Sequence, residues 1–287
     1  MDGVLIIDKP AGMTSHDVVD EVRSRLSVRR VGHAGTLDPQ ATGILVVGVG
    51  RATRLLSYAQ AGAKRYLAEA VFGITTTTQD AWGEVVARRP VNLRRTTVAR
   101  VLEEFVGALE QVPPMASAVK VGGERLYRKA RRGESVSRPA RPIVVHALTL
   151  TEWRPGEHPA ANLDVRCSAG TYVRTLVADI GERLGCGAHL TGLRRTESGV
   201  YTEADAIALA AVNEASLRPL RETVAGLARL DADEEAAERV AHGRPLSIAE
   251  PGREGEAVAI VRGEDLIAVY VRRGEALVAE RVLVGAG

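Results

Sequence analysis

The residues best placed to do chemistry lie in one string, Gly32-His33-Ala34-Gly35-Thr36-Leu37-Asp38-Pro39-Gln40-Ala41-Thr42-Gly43. Its glycines let the backbone take unusual angles and approach a ligand closely. It presents one imidazole and one carboxylate on a loop between regular elements, where functional residues concentrate. An isolated Asp-Pro reads as a turn initiator, but a turn does not need the whole string. A second feature is cationic. Val119–Arg141 holds eight cations (Lys120, Arg125, Arg128, Lys129, Arg131, Arg132, Arg138 and Arg141) against two acids, Glu124 and Glu134. That excess suits a phosphate-binding surface, with Tyr127 available to a base; the plainer reading is a solvated helix face. The six histidines, at 16, 33, 146, 158, 189 and 242, show no metal-ligand spacing, so a metal site is not expected.

These residues need elements to hold them. Val4–Ile7 and Ile44–Val49 read as short buried strands, and Lys64–Phe72 alternates, with Tyr66, Ala68, Ala70 and Phe72 on one face. Ser15 to Leu26 reads as a helix with Val18, Val19, Val22 and Leu26 on one side and Thr14 or Ser15 as its cap. Arg29 to Thr42 reads as a polar loop, followed after the second strand by a short helix near Arg51–Tyr58. Val98, Val101, Leu102 and Phe105 mark another helix, Ile143–Leu150 and Leu163–Cys167 two strands, and Thr171–Leu184 an amphipathic helix carrying Arg174. Taken alone, Tyr66 is a half-buried core tyrosine, Arg174 a solvated charge and Tyr172 a packing residue. Irregular alternation of strands and helices predicts an α+β fold with a mixed, largely antiparallel sheet flanked by helices.

The chain of 287 residues suits one large domain and a small one. We place the boundary so that residues 1–227 form the large domain and 228–287 a β-rich module, with a short acidic helix at Asp233–Ala241 and strands at Ala257–Val261, Leu266–Val271 and Ala276–Val284. The net charge of +2 hides an asymmetry: residues 1–202 carry 28 Lys and Arg against 20 acids, and residues 203–287 carry 10 against 16. The first part can therefore meet a polyanion, whereas the module, with 8 cations and 12 acids, is ill suited to it. No apolar run approaches the ~20 residues that cross a bilayer. The N-terminus lacks a signal-peptide pattern, and Cys167 and Cys186 do not suggest a disulfide framework. A soluble, cytoplasmic protein is expected.

The string around Asp38 resembles the catalytic signature of the bacterial tRNA pseudouridine-55 synthases. Other segments resemble that family in its own order: Asp8-Lys9-Pro10-Ala11-Gly12-Met13-Thr14-Ser15, Lys64-Arg65-Tyr66-Leu67-Ala68-Glu69-Ala70, Gln111-Val112-Pro113-Pro114-Met115-Ala116-Ser117-Ala118-Val119-Lys120, Cys167-Ser168-Ala169-Gly170-Thr171-Tyr172-Val173-Arg174-Thr175-Leu176, and Leu193-Arg194-Arg195-Thr196. The resemblance spans roughly residues 3–200 and implies isomerisation of uridine 55 in the tRNA T loop, without cofactor or metal. It further implies that Asp38 is the catalyst, that Tyr66 stacks on the base and moves a proton, and that Arg174 pairs with Asp38. Leu193 packs beneath the uracil, and His33 holds the RNA while the base is flipped out. Tyr172 and Lys9 are further binding candidates, and Arg128, Lys129, Arg131 and Arg132 belong to an element near 111–141 that grips the T arm. The module stands where the family often carries a PUA-type domain. A stand-alone monomer without an obligate protein partner is implied.

Three other readings compete. Gly48-Val49-Gly50 could open a dinucleotide fingerprint, but Thr53 takes the third glycine position and no βαβ pattern continues. A non-catalytic RNA-binding or chaperone protein would not need Asp38, Tyr66 and Arg174 together. An RNA-guided synthase would need a guide and partner proteins.

Overall fold

The structure is a computed structural model that describes every residue except 116, 118, 119, 122, 127, 128, 130, 131, 133, 135, 248–252 and 284–287. In chain order the elements are β1 (Gly3–Lys9), α1 (Ser15–Leu26), β2 (Val31–Ala34), β3 (Thr42–Val49), α2 (Leu56–Ala61), β4 (Lys64–Phe72), β5 (Ile74–Thr76) and β6 (Val85–Arg88). Then come α3 (Arg95–Glu103), β7 (Gly107–Gln111), β8 (Lys120–Val121), β9 (Glu124–Arg125), β10 (Arg141–Arg154), β11 (Ala160–Cys167), α4 (Val173–Arg183) and β12 (Ala188–Ser198). β13 (Tyr201–Thr202), β14 (Ile207–Ala208), β15 (Ala228–Asp231), α5 (Glu234–Ala241), β16 (Leu246–Ser247), β17 (Ala257–Arg262), β18 (Asp265–Arg273) and β19 (Ala276–Val282) complete the chain. The fold is α+β with a mixed sheet, as the sequence predicts.

The chain forms two compact units: Met1–Asp38, Ile44–Gly62 and Gly199–Gly287 make the first, Pro39–Gly43 and Ala63–Ser198 the second. In the first unit, β1 runs parallel to β14 and β2 antiparallel to β3. The apolar stripe of α1 closes over them, so Val18, Val19, Val22 and Leu26 share a core with Leu5, Ile7, Leu45 and Val47. The helix starts at Ser15 because Thr14 and Asp17 make a reciprocal capping box: the Thr14 hydroxyl accepts from the Asp17 N–H at 3.1 Å, and the Asp17 carboxylate accepts from the Thr14 N–H at 2.8 Å. A separate five-stranded sheet, ordered β15-β17-β18-β19-β16, begins at Ala228. One of its faces carries α5. Ala259, Val261, Leu266, Val269 and Leu283 pack instead against Leu55 and Val224 of the same unit, so this module rests on an apolar seam.

In the second unit β12, β4, β11, β10 and β7 follow one another as an antiparallel sheet. The period-two pattern of β4 buries Lys64, Tyr66, Ala68, Ala70 and Phe72 and exposes the residues between them as far as Glu69. Thr42 and Gly43 run parallel to Arg194 and Arg195 of β12. Gly43 has φ +96° and lies so close to that strand that a Cβ would come 2.2 Å from the Arg195 carbonyl oxygen, so only glycine fits. The expected loop from Arg29 to Thr42 is partly ordered: Val31–Ala34 is a strand, paired with Val46–Val49. Gly32 and Gly35, which bracket His33-Ala34, mask the alternation that would have revealed it.

Candidate active site

In the first unit the chain carrying Asp38 is fixed from below by α1. The buried Ser15 hydroxyl accepts from the Leu37 N–H at 2.9 Å and donates to the Leu37 carbonyl at 3.1 Å. Leu37 itself is buried, so the residue before Asp38 is clamped by both backbone groups and by its side chain. Ser15 was a candidate cap, but Thr14 fills that role and leaves the Ser15 hydroxyl for this contact. The turn before Ser15 is held in its own way. The fully buried Lys9 ammonium donates to the carbonyls of Pro10 at 2.8 Å and Met13 at 2.7 Å. Asp38 is half-buried, and His33, also half-buried, stands in β2 opposite Val47.

The second unit builds a buried ionic nest around Arg174. α4 presents this side chain inward, only 4% exposed, where its guanidinium donates to the Asp80 carboxylate at 3.1 Å and to the Thr78 carbonyl at 3.0 Å. The sequence alone made Arg174 a solvated charge; burial and this ion pair correct that. Asp80, equally buried, also accepts from Gln40 Nε2 at 2.7 Å, the Thr78 hydroxyl at 2.5 Å and the Trp82 N–H at 3.0 Å. Gln111, also buried, clamps the start of α4: its amide accepts from the Tyr172 N–H at 2.8 Å and donates to the Tyr172 carbonyl at 3.1 Å. Thr175, directly after Arg174, donates to the Gln79 side chain at 2.9 Å.

The sheet brings two of the expected base-contacting residues together. Tyr66 lies opposite Arg195 and Val165, and Leu193 lies opposite Ala68, so Tyr66 and Leu193 share one face, one strand apart. Tyr66 is only 8% exposed. On the same face, burial and the neighbouring Arg195 guanidinium push the Lys64 amine down to about 8. Tyr172 is half-buried at the cap of α4. In the basic segment, Arg128 and Arg131, and Tyr127 with them, lie outside the described residues. Lys129 is half-buried, and Arg132 is engaged by Glu124 at 2.7 Å and Glu134 at 2.6 Å.

Sequence reasoning missed Asp80, Gln40, Gln111 and the second task of Ser15. Gln40 and Gln111 stand inside segments already singled out, next to Pro39 and before Pro113-Pro114, so a closer reading could have found them. Asp80 sits in a polar run after Thr75-Thr76-Thr77-Thr78-Gln79 that reads as a loop, and nothing local distinguishes it.

The model for the N-terminal domain of TruB family pseudouridylate synthases matches residues 23–173, and the model for the tRNA pseudouridylate synthase B C-terminal domain matches residues 174–230. The tRNA pseudouridine synthase B of Symbiobacterium thermophilum is 51% identical over 246 residues, covering 85% of this chain and 82% of its own. That of Thermobifida fusca is 50% identical over 256 residues, covering 86% and 87%. That of Shouchella clausii is 42% identical over 280 residues, covering 93% and 92%. Among solved structures, a chain of a Cbf5-Nop10-Gar1 complex is similar with a TM-score of 0.76 and 27% identity, over 99% of this chain and 85% of that one.

Proposed function

The chain belongs to the TruB family of pseudouridylate synthases, and we propose that it isomerises uridine 55 in the T loop of tRNA to pseudouridine. The N1–C1′ bond breaks, the uracil turns, and a C5–C1′ bond forms; C5 gives up a proton and N1 gains one. Substrate and product are isomers, so the reaction calls for no cofactor.

Asp38 supplies the carboxylate. It attacks the sugar or the base, or it assists proton removal and stabilises positive charge developing on the sugar. Arg174 is the counter-charge that keeps that carboxylate ionised and aimed. Tyr66 offers a flat face to the base and a hydroxyl for proton transfer. Leu193 packs beneath the uracil, Tyr172 offers a second flat face, and His33 holds the RNA once the uridine has left its stack. Lys9 shapes the turn that sets Ser15, and the basic segment around Lys129 grips the T arm. The enzyme works in the cytoplasm as a monomer without a protein partner.

The observation that carries this reading is the anchoring of Gln40. Its side chain is bonded to the carboxylate that holds Arg174, and Asp38 stands two residues earlier in the chain. Consecutive Cα atoms lie ~3.8 Å apart, so the backbone of Asp38 begins close to a fixed point. A tRNA substrate rather than a guided one is supported by identity: the relatives named as tRNA enzymes share 51% and 50%, the subunit of the Cbf5 complex 27%. The test is incubation of the purified protein, without additives, with an unmodified tRNA transcript, followed by nucleotide-resolved mapping. Pseudouridine at position 55 is expected; its absence there, with a competent control enzyme active on the same RNA, overturns the proposal.

A further inference from the structure

The segment from Trp82 to Arg100 carries five arginines, Arg88, Arg89, Arg94, Arg95 and Arg100, and one acid, Glu84. All five are exposed. Among the described residues none of these side chains has a hydrogen bond or an ion pair. Several other arginines of the same unit are paired: Arg65 is held by Asp164 and Glu197, Arg183 by Glu104, and Arg132 by Glu124 and Glu134. Stability does not call for this run. Clustered like charges repel, and Arg94 and Arg95 stand at the start of α3, where the helix dipole disfavours cations and the first turn holds no acid. A surface kept cationic against its own repulsion fits a polyanion.

The same stretch of chain offers a flat ring. Trp82 is 62% exposed, and Val85 and Val86 beside it are 54% and 65% exposed. The backbone beneath the indole is pinned by hydrogen bonds. Besides the Trp82 N–H bond to Asp80, the Ala81 N–H donates to the Leu190 carbonyl at 2.9 Å, and the Thr76 hydroxyl donates to the Asp80 carbonyl at 2.6 Å. An indole held out in solvent on a fixed loop has little freedom to lose on binding. Cations that take phosphates, set beside an exposed aromatic that takes a base, are the means by which unpaired nucleic acid is held. Trp82 lies six residues from Arg88, at most roughly 20 Å of extended chain, which a few nucleotides span.

We propose that this exposed segment is a second RNA grip: Trp82 stacks on an unpaired base other than the reacting uridine, while Arg88, Arg89, Arg94 and Arg95 take nearby phosphates. The proposal rests on the pseudouridine synthase reading, and Asp80 joins the two, since its carboxylate holds both Arg174 and the backbone of Trp82.

The experiment is a fluorescence titration with an unmodified tRNA transcript. The chain has two tryptophans, and Trp153 is packed against Phe72 with ring centroids 6.0 Å apart. In Trp153→Phe, the remaining indole reports on position 82 alone. Saturable quenching of about half its emission is expected on RNA binding, and the difference between wild type and Trp82→Phe gives the same signal should Trp153→Phe fold poorly. The variant with Arg88, Arg89, Arg94 and Arg95 all changed to Gln is expected to bind at least tenfold more weakly at low salt. Its salt slope should be shallower by about 3, at ~0.7 per phosphate contact on single strands, with an unchanged thermal melt. Binding that leaves Trp82 emission unaltered, or a salt slope equal to wild type, overturns the proposal. Isomerisation by the wild-type protein is measured on the same RNA. If it proceeds while Trp82 stays silent, the grip alone fails; if quenching and slope respond without isomerisation, the functional reading fails and the grip stands.

Discussion

The Leu37 backbone beside Asp38 meets a neutral hydroxyl, that of Ser15, whereas Arg174 meets a buried carboxylate that gathers four donors from four different residues. Both groups are assigned to one reaction, yet their supports differ in kind. A neutral hydroxyl contributes about 1 kcal/mol and lets its neighbour adjust. A buried ion pair is rigid, and losing one partner costs about 3–5 kcal/mol. The Ser15 contact is the lighter support and the Asp80 contact the harder one.

The largest effect should come from breaking the harder support. Asp80→Ala removes the acceptor of Arg174, Gln40 and the Trp82 N–H together, and a loss of about 3–5 kcal/mol is expected in a denaturant titration. Turnover should fall at least a hundredfold, because a displacement of about 1 Å can cost that much. Wild-type stability in Asp80→Ala would show that the nest does not anchor Arg174.

Ser15→Ala sharpens the contrast. Its stability should drop by only about 1–2 kcal/mol, yet turnover should fall about tenfold with tRNA affinity unchanged, since only the aim of Asp38 is disturbed. Ser15→Thr restores the hydroxyl and should recover part of the rate. Equal turnover in Ser15→Ala and wild type would mean that the Leu37 clamp is not felt at Asp38.

The smallest effect belongs to the C-terminal module. Arg239 is already bonded to the Pro245 carbonyl and Arg273 to Glu254, and acids outnumber cations there. Changing Arg239 and Arg273 to Gln should alter tRNA affinity less than about threefold. Deleting the module is the poorer experiment, because it bares Leu55 and Val224, both now buried beneath it. A tenfold loss in the double variant would make the module a main RNA contact.

What could be read from the sequence follows from the range of the forces involved. The helix Ser15–Leu26 and the strand Lys64–Phe72 emerge with the boundaries their patterns imply, because a cap and a strict period are local. Val31–Ala34 was hidden because Gly32 within it and Gly35 after it break the alternation. Asp80 and Arg174 are 94 residues apart, and Ser15 and Leu37 are 22 apart. Such pairs are made by the fold, and no period or cap announces them. Tyr66, Leu193 and Arg174 were found through motif resemblance; what pattern alone could not supply was their surroundings, and Arg174 changed from a solvated charge to a buried one for that reason.

The central claim is that the Asp38 carboxylate does the chemistry, and Asp38→Asn tests it most directly. The variant keeps the size of the side chain and much of its hydrogen bonding but loses the charge. Nucleotide-resolved, single-turnover formation of pseudouridine at position 55 should fall by several orders of magnitude, as on removal of other catalytic groups, while tRNA binding stays within about tenfold of wild type. Substantial isomerisation by Asp38→Asn, prepared free of contaminating synthase, would contradict the claim.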